Sequence, residues 1–150
     1  MREILFRGKR TDNGEWVYGN PVEWLNETKD VSIIAHPFGC CIDEVGNLVL
    51  IEEPFVCKVH TETVGQSTGL KDKNGKEIFE GDIVRCLNSY GEDYYTSSVQ
   101  YDEGAFVVDV MGMDYDRTVI GWALDWLIIY NNDIEVTGNI HDNPELLEAE

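Results

Sequence analysis

The sequence predicts a mainly β protein, all-β to α+β, with few short helices. Residue pairs suited to two-residue hairpins recur at Asn13-Gly14, Gly46-Asn47 and Asn74-Gly75, because the central positions of these turns need residues that accept positive φ. Short runs rich in β-branched and aromatic residues lie between the turns, which is the composition of strands. Few segments carry a helical signal, so strands are expected to form most of the fold.

The candidate strands follow one another along the chain, in the order REILFR, EWVYG, VSIIA, NLVLI, DIVRCL, SSVQYD and AFVVDV. Near the end, DIEVTGNI alternates in polarity and predicts a half-buried strand with Ile134, Val136 and Ile140 on its apolar face. The last residues, 143–150, predict a short helix or tail, with Asn143 as N-cap and Pro144 at the first helical position. Two segments stay open between helix and another structure, NPVEWLNET as helix or loop and WALDWLIIY as helical turn or strand.

The length and composition of the chain bound its organisation. With 150 residues and 43% hydrophobic content, the chain suits one domain, 1–150. Two arrangements of this domain stay open. Either a β-rich N-terminal region, 1–65, and a second part, 66–142, form two sub-lobes, or residues 20–65 extend the second part. No apolar run is long enough to cross a bilayer, and the start MREILFRGKR is too short and too charged for a secretory signal. We therefore expect a cytoplasmic protein with no membrane partner.

The net charge of −18 is distributed unevenly. Residues 86–150 contain fourteen acidic residues and one basic residue, Arg117. Such a chain is expected to be repelled by nucleic acid and by anionic membranes, so neither is predicted as a direct partner. Two interpretations of the charge remain, simple solubility or an acidic surface that is itself the ligand of a basic partner.

The stretch GLKDKNGKEIFEGDIVRC, residues 69–86, contains three lysines, Lys71, Lys73 and Lys76. A phosphate-binding loop needs two glycines separated by four residues and followed by Lys-Ser/Thr, between a strand and a helix. Here the lysines flank a tight turn at Asn74-Gly75, and Gly81-Asp82 leads into an apolar strand. The glycines are therefore predicted to turn the chain, and the lysines to form a basic patch on a hairpin.

The run TGLKDKNGKEIFEGDIV closely resembles the hallmark of the YopX family, small proteins encoded by phages and prophages of bacteria. The opening MREILFRGK and the close VTGNIHDNPELL, residues 136–147, resemble that family as well. The chain departs from the family pattern at Gln66-Ser67-Thr68-Gly69, where members usually carry tyrosine at the second position, and residues 20–55 match little. The resemblance implies a small SH3-like barrel in the second half and a phage origin, and it supplies neither an activity nor catalytic residues.

A candidate zinc site consists of His36, Cys40, Cys57 and His60. Their side chains are zinc ligands. However, Cys57 and His60 lie three apart in a predicted strand, so they should face opposite sides, and no Cys-x₂-Cys pair is present. The alternative is that the cysteines are reduced, buried, apolar residues. No metal and no cofactor is therefore predicted.

Acidic pairs offer a second candidate for chemistry. Asp114 and Asp116 flank a tyrosine in GMDYDRT, and residues two apart on a strand share a face that can hold a divalent cation. In a chain with twenty-nine acidic residues, such pairs also arise from composition alone. No nucleophile has a companion base and no hydrolase motif is found, so the chain is predicted not to be an enzyme.

The tyrosine-rich segment YGEDYYTS offers a candidate interaction surface. Glu92 and Asp93 lie beside Tyr94 and Tyr95, and such a mixture of acids and rings suits a protein interface. The alternative is a mobile, solvated loop.

These observations predict a phage accessory protein that binds another protein through its acidic second half and catalyses no reaction. One version is mimicry of nucleic acid, in which carboxylates occupy the basic groove of a host nucleic-acid-binding protein. The alternative is a self-assembling homo-oligomer, in which the basic hairpin from Lys71 to Lys76 and the basic first strand contact the acidic half of a neighbouring subunit. A metal-dependent enzyme is the third interpretation.

Overall fold

The structure is a computed structural model, and it describes residues 4–24, 27–35, 40–42, 48–50, 56–87, 93–102, 104 to 108 and 134–148. In 40–42, 48–50, 86–87 and 93–95 it describes the backbone alone. The predicted turn Gly46-Asn47 and the segment WALDWLIIY lie outside the described residues.

The described residues contain twelve strands, which confirms the prediction of a mainly β fold. They are β1 (Phe6–Lys9), β2 (Trp16–Glu23), β3 (Val31–Ala35), β4 (Cys40–Ile42), β5 (Leu48–Leu50), β6 (Val56–Val59), β7 (Gly65–Lys71), β8 (Glu77–Phe79), β9 (Asp82–Leu87), β10 (Asp93–Asp102), β11 (Ala105–Val108) and β12 (Ile134–Asn139). The helical residues described are two 3-10 helices, Thr61–Thr63 and Pro144–Leu147. Among the described residues, no helix is both long enough and apolar enough to cross a membrane.

The first part of NPVEWLNET, for which the sequence left helix or loop open, forms a strand. Strand β2 continues through Pro21 to Glu23, and Pro21 lies opposite Ile33 of β3. Neither a helix nor a loop was correct there. Pairing with β3 holds these residues extended, so tertiary contacts outweigh the turn preference of an Asn-Pro pair.

The chain divides into two compact units, Ile4–Gln66 and Ser67–Glu150. In the first unit the antiparallel strands lie in the order β6-β3-β2-β1, and the first residues of β7 pair with β1. Strand β6 also reaches the chain that follows β1, because Arg10 bridges Val59 and the amide N of Thr11 donates to the carbonyl O of Lys58 at 3.1 Å. The four strands therefore close on themselves.

The core of the first unit lies on one face of these strands. Val17, Ile33, Cys57 and Val59 are buried together there. Residues directly opposite each other on paired strands share a face, so the intervening strand residues lie on the opposite face, where Arg7 and Ser32 are buried as well.

The second unit contains the sheet β11-β10-β9-β12 and the β7–β8 pair. Its buried core is apolar and comes from five strands, with Ile78, Val84, Val99, Val107, Val108, Ile134 and Val136 as members. Ile134 and Val136 are buried as the alternation of DIEVTGNI predicts. The prediction is wrong for Ile140, which is exposed. Strand β12 ends at Asn139 after a register shift between Val136 and Gly138, and this shift breaks the alternation.

The C-terminal residues form a 3-10 helix in which Asn143 is not a side-chain cap. Its side chain makes no capping hydrogen bond, and its Oδ1 instead accepts from the amide N of Asn139 at 3.4 Å. Asn143 is nevertheless the N-cap residue and Pro144 begins the helix, as the sequence predicts. The side-chain oxygen of Asn143 is thus used by the turn that precedes the helix. Its carbonyl O accepts from the amide N of Leu146 at 3.1 Å.

Candidate functional site

The hairpin between β7 and β8 carries the three candidate lysines, and the carboxylate of Asp72 organises it. Asp72 is buried, and its Oδ1 accepts hydrogen bonds from the amide N of Asn74 at 2.8 Å and of Lys76 at 2.9 Å. Gly75 occupies the left-handed region with φ of 80°. The amide groups that could cradle an anion in this turn are thus taken by the chain's own carboxylate.

The same carboxylate attaches the hairpin to strand β12. Oδ2 of Asp72 accepts from the amide N of Val136 at 3.0 Å, and the amide N of Lys73 donates to the carbonyl O of Ile134 at 2.9 Å. The turn therefore satisfies backbone groups of β12 across 64 positions of sequence. A short acidic residue in a lysine-rich turn thus acts as a structural clamp between distant strands.

The charges beside this clamp form a cluster around Glu135. Arg85 Nη2 donates to Glu135 Oε2 at 2.7 Å, and Lys73 Nζ lies 3.6 Å from the same oxygen. The hydrogen bond from Arg85, with the nearby Lys73 ammonium, holds the pKa of Glu135 below its usual range. All three candidate lysines are exposed, and of these Lys73 lies in ion-pair distance of Glu135.

Replacing Glu135 with glutamine is expected to lower stability at neutral pH more than at acidic pH. The carboxylate stabilises the fold above the pKa of an unfolded glutamate, about 4.3. That stabilisation disappears as the pH falls through the lower folded pKa. Thermal unfolding of wild type and of Glu135→Gln between about pH 3 and pH 7 should give melting temperatures that converge in acid.

Arg85→Gln removes the same ion pair from the opposite side and should reproduce this convergence. A difference from wild type that stays constant over the whole pH range would show that the Glu135 charge does not stabilise the fold.

The second half of the hallmark run also forms internal bonds. Asp82 is fully buried, and its Oδ2 accepts from the amide N of Phe79 at 2.8 Å. Gly81 has φ of 85°; its amide N donates to the carbonyl O of Val99, and its carbonyl O accepts from the amide N of Ile140. The Gly-Asp pair therefore makes the corner that leads into β9.

The departure from the usual family residue at Ser67 is accommodated by a hydrogen bond. Ser67 is buried, and its Oγ donates to Glu77 Oε1 at 2.7 Å. The hydroxyl of the next residue, Thr68, donates to the carbonyl O of Ile78 at 2.9 Å. This position thus contributes to pairing within the hairpin, and a tyrosine ring is not needed to fill it.

The candidate zinc residues are only partly within the described chain. Cys57 is buried in the core of the first unit, where burial raises the pKa of its thiol, while His60 is exposed with Nδ1 3.8 Å from Glu62 Oε1. His36 lies outside the described residues, and Cys40 is described by its backbone in β4. Across the described ranges, no group of three or more His, Cys, Asp and Glu side chains could hold a metal ion.

The candidate acidic and aromatic residues fall mostly beyond what the structure describes. Glu92, Asp114 and Asp116 lie outside the described residues, and Asp93, Tyr94 and Tyr95 are described only as backbone at the start of β10. Their role as an interaction surface stays a prediction.

A surface element that sequence reasoning missed lies at the other end of β10. Tyr101 is 55% exposed, and its ring stacks edge-to-face on Phe106 of β11 with centroids 5.2 Å apart. Asp102 is exposed beside it. The strand SSVQYD was recognised, but its last residues were assigned no surface role, because alternation places Tyr101 on the same face as the buried Val99.

Comparison with known proteins places these features in one family. A family model described as "YopX protein" matches residues 5–148. The chain is 37% identical over 77 residues to the "SPbeta prophage-derived uncharacterized protein YopX" of Bacillus subtilis (strain 168). That match covers 50% of this chain and 53% of the relative, so it spans about half the length of the relative.

A solved structure resembles the whole chain. The crystal structure of protein EF1440 from Enterococcus faecalis matches with a TM-score of 0.54 and 26% identity, and the match covers 98% of this chain and 99% of that one. The mainly β architecture is thus shared by a related protein along nearly its full length.

Proposed function

The chain belongs to the YopX family, and from that premise we propose that it is a prophage accessory protein that binds another protein through the acidic surface of its Ser67–Glu150 unit and catalyses no reaction. The prophage origin is supported by the name of the Bacillus subtilis relative, which is described as SPbeta prophage-derived. The proposed partner is a basic host protein that handles nucleic acid, whose groove the carboxylates would occupy in place of phosphates.

The observation that carries this proposal is how the second unit uses its charges. Residues 67 to 150 contain eighteen acidic and five basic residues. Two of those bases, Lys73 and Arg85, both contact Glu135. Among the described residues, the buried carboxylates of Asp72 and Asp82 accept backbone hydrogen bonds inside the fold. Among the described residues of this unit, the exposed acids are Asp102, Asp142, Glu145 and Glu148, and negative surface charge of this kind can steer a basic partner.

The described part of this surface has the mixed character of an interface. Asp102, Glu145 and Glu148 are exposed, and so is the ring of Tyr101. Aromatic rings contribute much of the binding free energy at interfaces, while surrounding charges favour fast and selective association. The predicted acidic and aromatic residues from Glu92 to Asp116 would extend this surface.

A pull-down from a nuclease-treated bacterial lysate at low salt tests the proposal, because nuclease removes nucleic-acid bridges. Wild type should retain a basic DNA- or RNA-handling protein that elutes with a salt step. A variant with Glu92→Gln, Asp93→Asn, Asp114→Asn and Asp116→Asn should retain much less of it. Each exposed charge pair contributes roughly 0.5 kcal/mol, so the four substitutions should cost about 2 kcal/mol, which is about thirtyfold in affinity.

A matched control neutralises exposed acids of the first unit instead. Glu15→Gln, Glu27→Gln and Glu62→Gln change residues that are exposed there, and this variant should retain the partner as wild type does. Equal loss in both variants would mean that net charge alone governs binding. Recovery of the bait alone from the wild-type sample would contradict the proposal.

A further inference from the structure

The chain contains two Asn-Gly dipeptides, Asn13-Gly14 and Asn74-Gly75. Both lie in turns between consecutive strands, both asparagines are exposed, and both glycines have positive φ, 71° and 80° respectively. The amide N of each glycine donates to a backbone carbonyl O at the start of its turn, at 3.1 Å and 3.0 Å. The glycine amides of the two sites are therefore held alike.

The two asparagine side chains, in contrast, are held differently. Asn13 Oδ1 accepts from the amide N of Glu15 at 3.0 Å, and Asn13 Nδ2 donates to Glu15 Oε2 at 3.2 Å. The carboxamide of Asn74 forms no hydrogen bond with any residue that the structure describes. The side chain of Asn74 can thus rotate, whereas that of Asn13 is fixed through both its acceptor and its donor.

This difference bears on a reaction that an Asn-Gly pair undergoes in water without an enzyme. The backbone N of the glycine attacks Cγ of the asparagine and forms a C–N bond, and the side-chain nitrogen leaves as ammonia with the proton of the backbone amide. Glycine permits this approach because it has no Cβ beside the attacking nitrogen. Water then opens the resulting cyclic imide at either carbonyl, which leaves aspartate or isoaspartate. The carboxamide must rotate towards the glycine N, so hydrogen bonds that fix it slow the reaction.

We propose that Asn74 is a site of spontaneous deamidation in the folded protein, that Asn13 is protected from it, and that isoaspartate at position 74 loosens the contact of the hairpin with β12. Asp72 Oδ1 accepts from the amide N of Asn74 and of Lys76, which lie on either side of the modified linkage. Isoaspartate adds a methylene group to the main chain between these two donors, so both cannot keep their distances to one oxygen. Neither step depends on the proposed protein partner.

Incubation of the full chain in mildly alkaline buffer, followed by cleavage after glutamate and mass spectrometry, tests the site. The cleavage gives one peptide for each dipeptide, residues 4–15 and 63–77, and fragment ions show which residue has exchanged its amide for a carboxyl group. In the folded protein, position 74 should deamidate at least about tenfold faster than position 13, because Asn13 must first break two hydrogen bonds. In denaturant the two positions should react at similar rates, since the dipeptides are identical.

Asn74→Gln is the matched control, because it keeps an exposed carboxamide while its longer side chain forms the corresponding ring far more slowly. Its peptide 63–77 should stay unmodified at position 74. Equal rates at positions 13 and 74 in the folded protein would overturn the proposal, since the hydrogen bonds of Asn13 would then give no protection. Reaction of Asn74 in denaturant alone would overturn it as well, because the folded turn would then be the protected state.

The effect on the hairpin is measured on the isoaspartate form, purified by anion exchange and identified by its fragment ions. Its comparison is Asn74→Asp, which has the added negative charge without the added main-chain atom. The isoaspartate form should melt at least about 3 °C below Asn74→Asp, and its Val136 amide should exchange faster. Equal melting temperatures and equal exchange would show that the hairpin keeps its contact with β12, and would overturn that part of the proposal.

Discussion

Replacing Asp72 with alanine is expected to lower the free energy of unfolding by about 3–5 kcal/mol. The buried carboxylate accepts three backbone hydrogen bonds, from Asn74, Lys76 and Val136. Alanine leaves these donors without their acceptor, and each buried donor without a partner costs about 1–3 kcal/mol. The effect is large because one side chain both forms the turn and attaches it to β12.

Urea denaturation and hydrogen exchange measure this effect together. The amide of Val136 should exchange faster in Asp72→Ala, since its acceptor is gone. Asp102→Ala is the matched control because Asp102 is exposed, and its free energy of unfolding should stay within about 0.5 kcal/mol of wild type. Equal free energies of unfolding for Asp72→Ala and Asp102→Ala would show that the Asp72 carboxylate does not stabilise the fold by joining the hairpin to β12.

Replacing Gly19 with alanine is expected to destabilise the first unit by about 3 kcal/mol. A Cβ at this position would lie 1.8 Å from the carbonyl O of Ile34 and 2.7 Å from its carbonyl C. Both atoms belong to the backbone of β3, so no side-chain rotation relieves the clash. The β2–β3 pairing must move apart, which also disturbs the core around Ile33.

Asn20→Ala is the control for Gly19→Ala, since Asn20 is the next residue of β2 and is exposed. The free energy of unfolding of Asn20→Ala should stay within about 0.5 kcal/mol of the wild-type value. If thermal unfolding placed both variants at the same temperature, the close approach of Gly19 to Ile34 would not exist in the folded protein.

Local chemistry made much of the fold predictable. The buried positions Ile134 and Val136 follow from alternation, and the structure contains them. The chain also turns at Asn74-Gly75, but Gly75 alone of the two has a positive φ, and the hydrogen bond from the amide N of Asp72 to the carbonyl O of Lys76 closes a turn longer than the predicted two residues. The strand conformation at Pro21 was not predicted, because pairing with a neighbouring strand overrides a local preference. Such pairing depends on residues distant in sequence.

The candidate site was harder to predict for the same reason. The sequence singled out the lysines of the hairpin, yet the organising residue is Asp72, whose partner Val136 is 64 positions away. Lys73 looked available because Glu135 is equally remote in sequence.

The central claim is that the acidic surface of the second unit binds a basic partner, and the dissociation constant of that complex measured against salt tests it most directly. For the protein recovered by pull-down, wild type should bind at least about tenfold more weakly as salt rises from about 50 to about 300 mM. The variant with Glu92, Asp93, Asp114 and Asp116 neutralised should bind about thirtyfold more weakly in low salt and respond less to added salt. Affinity that is unchanged by salt and by these four substitutions would contradict the account.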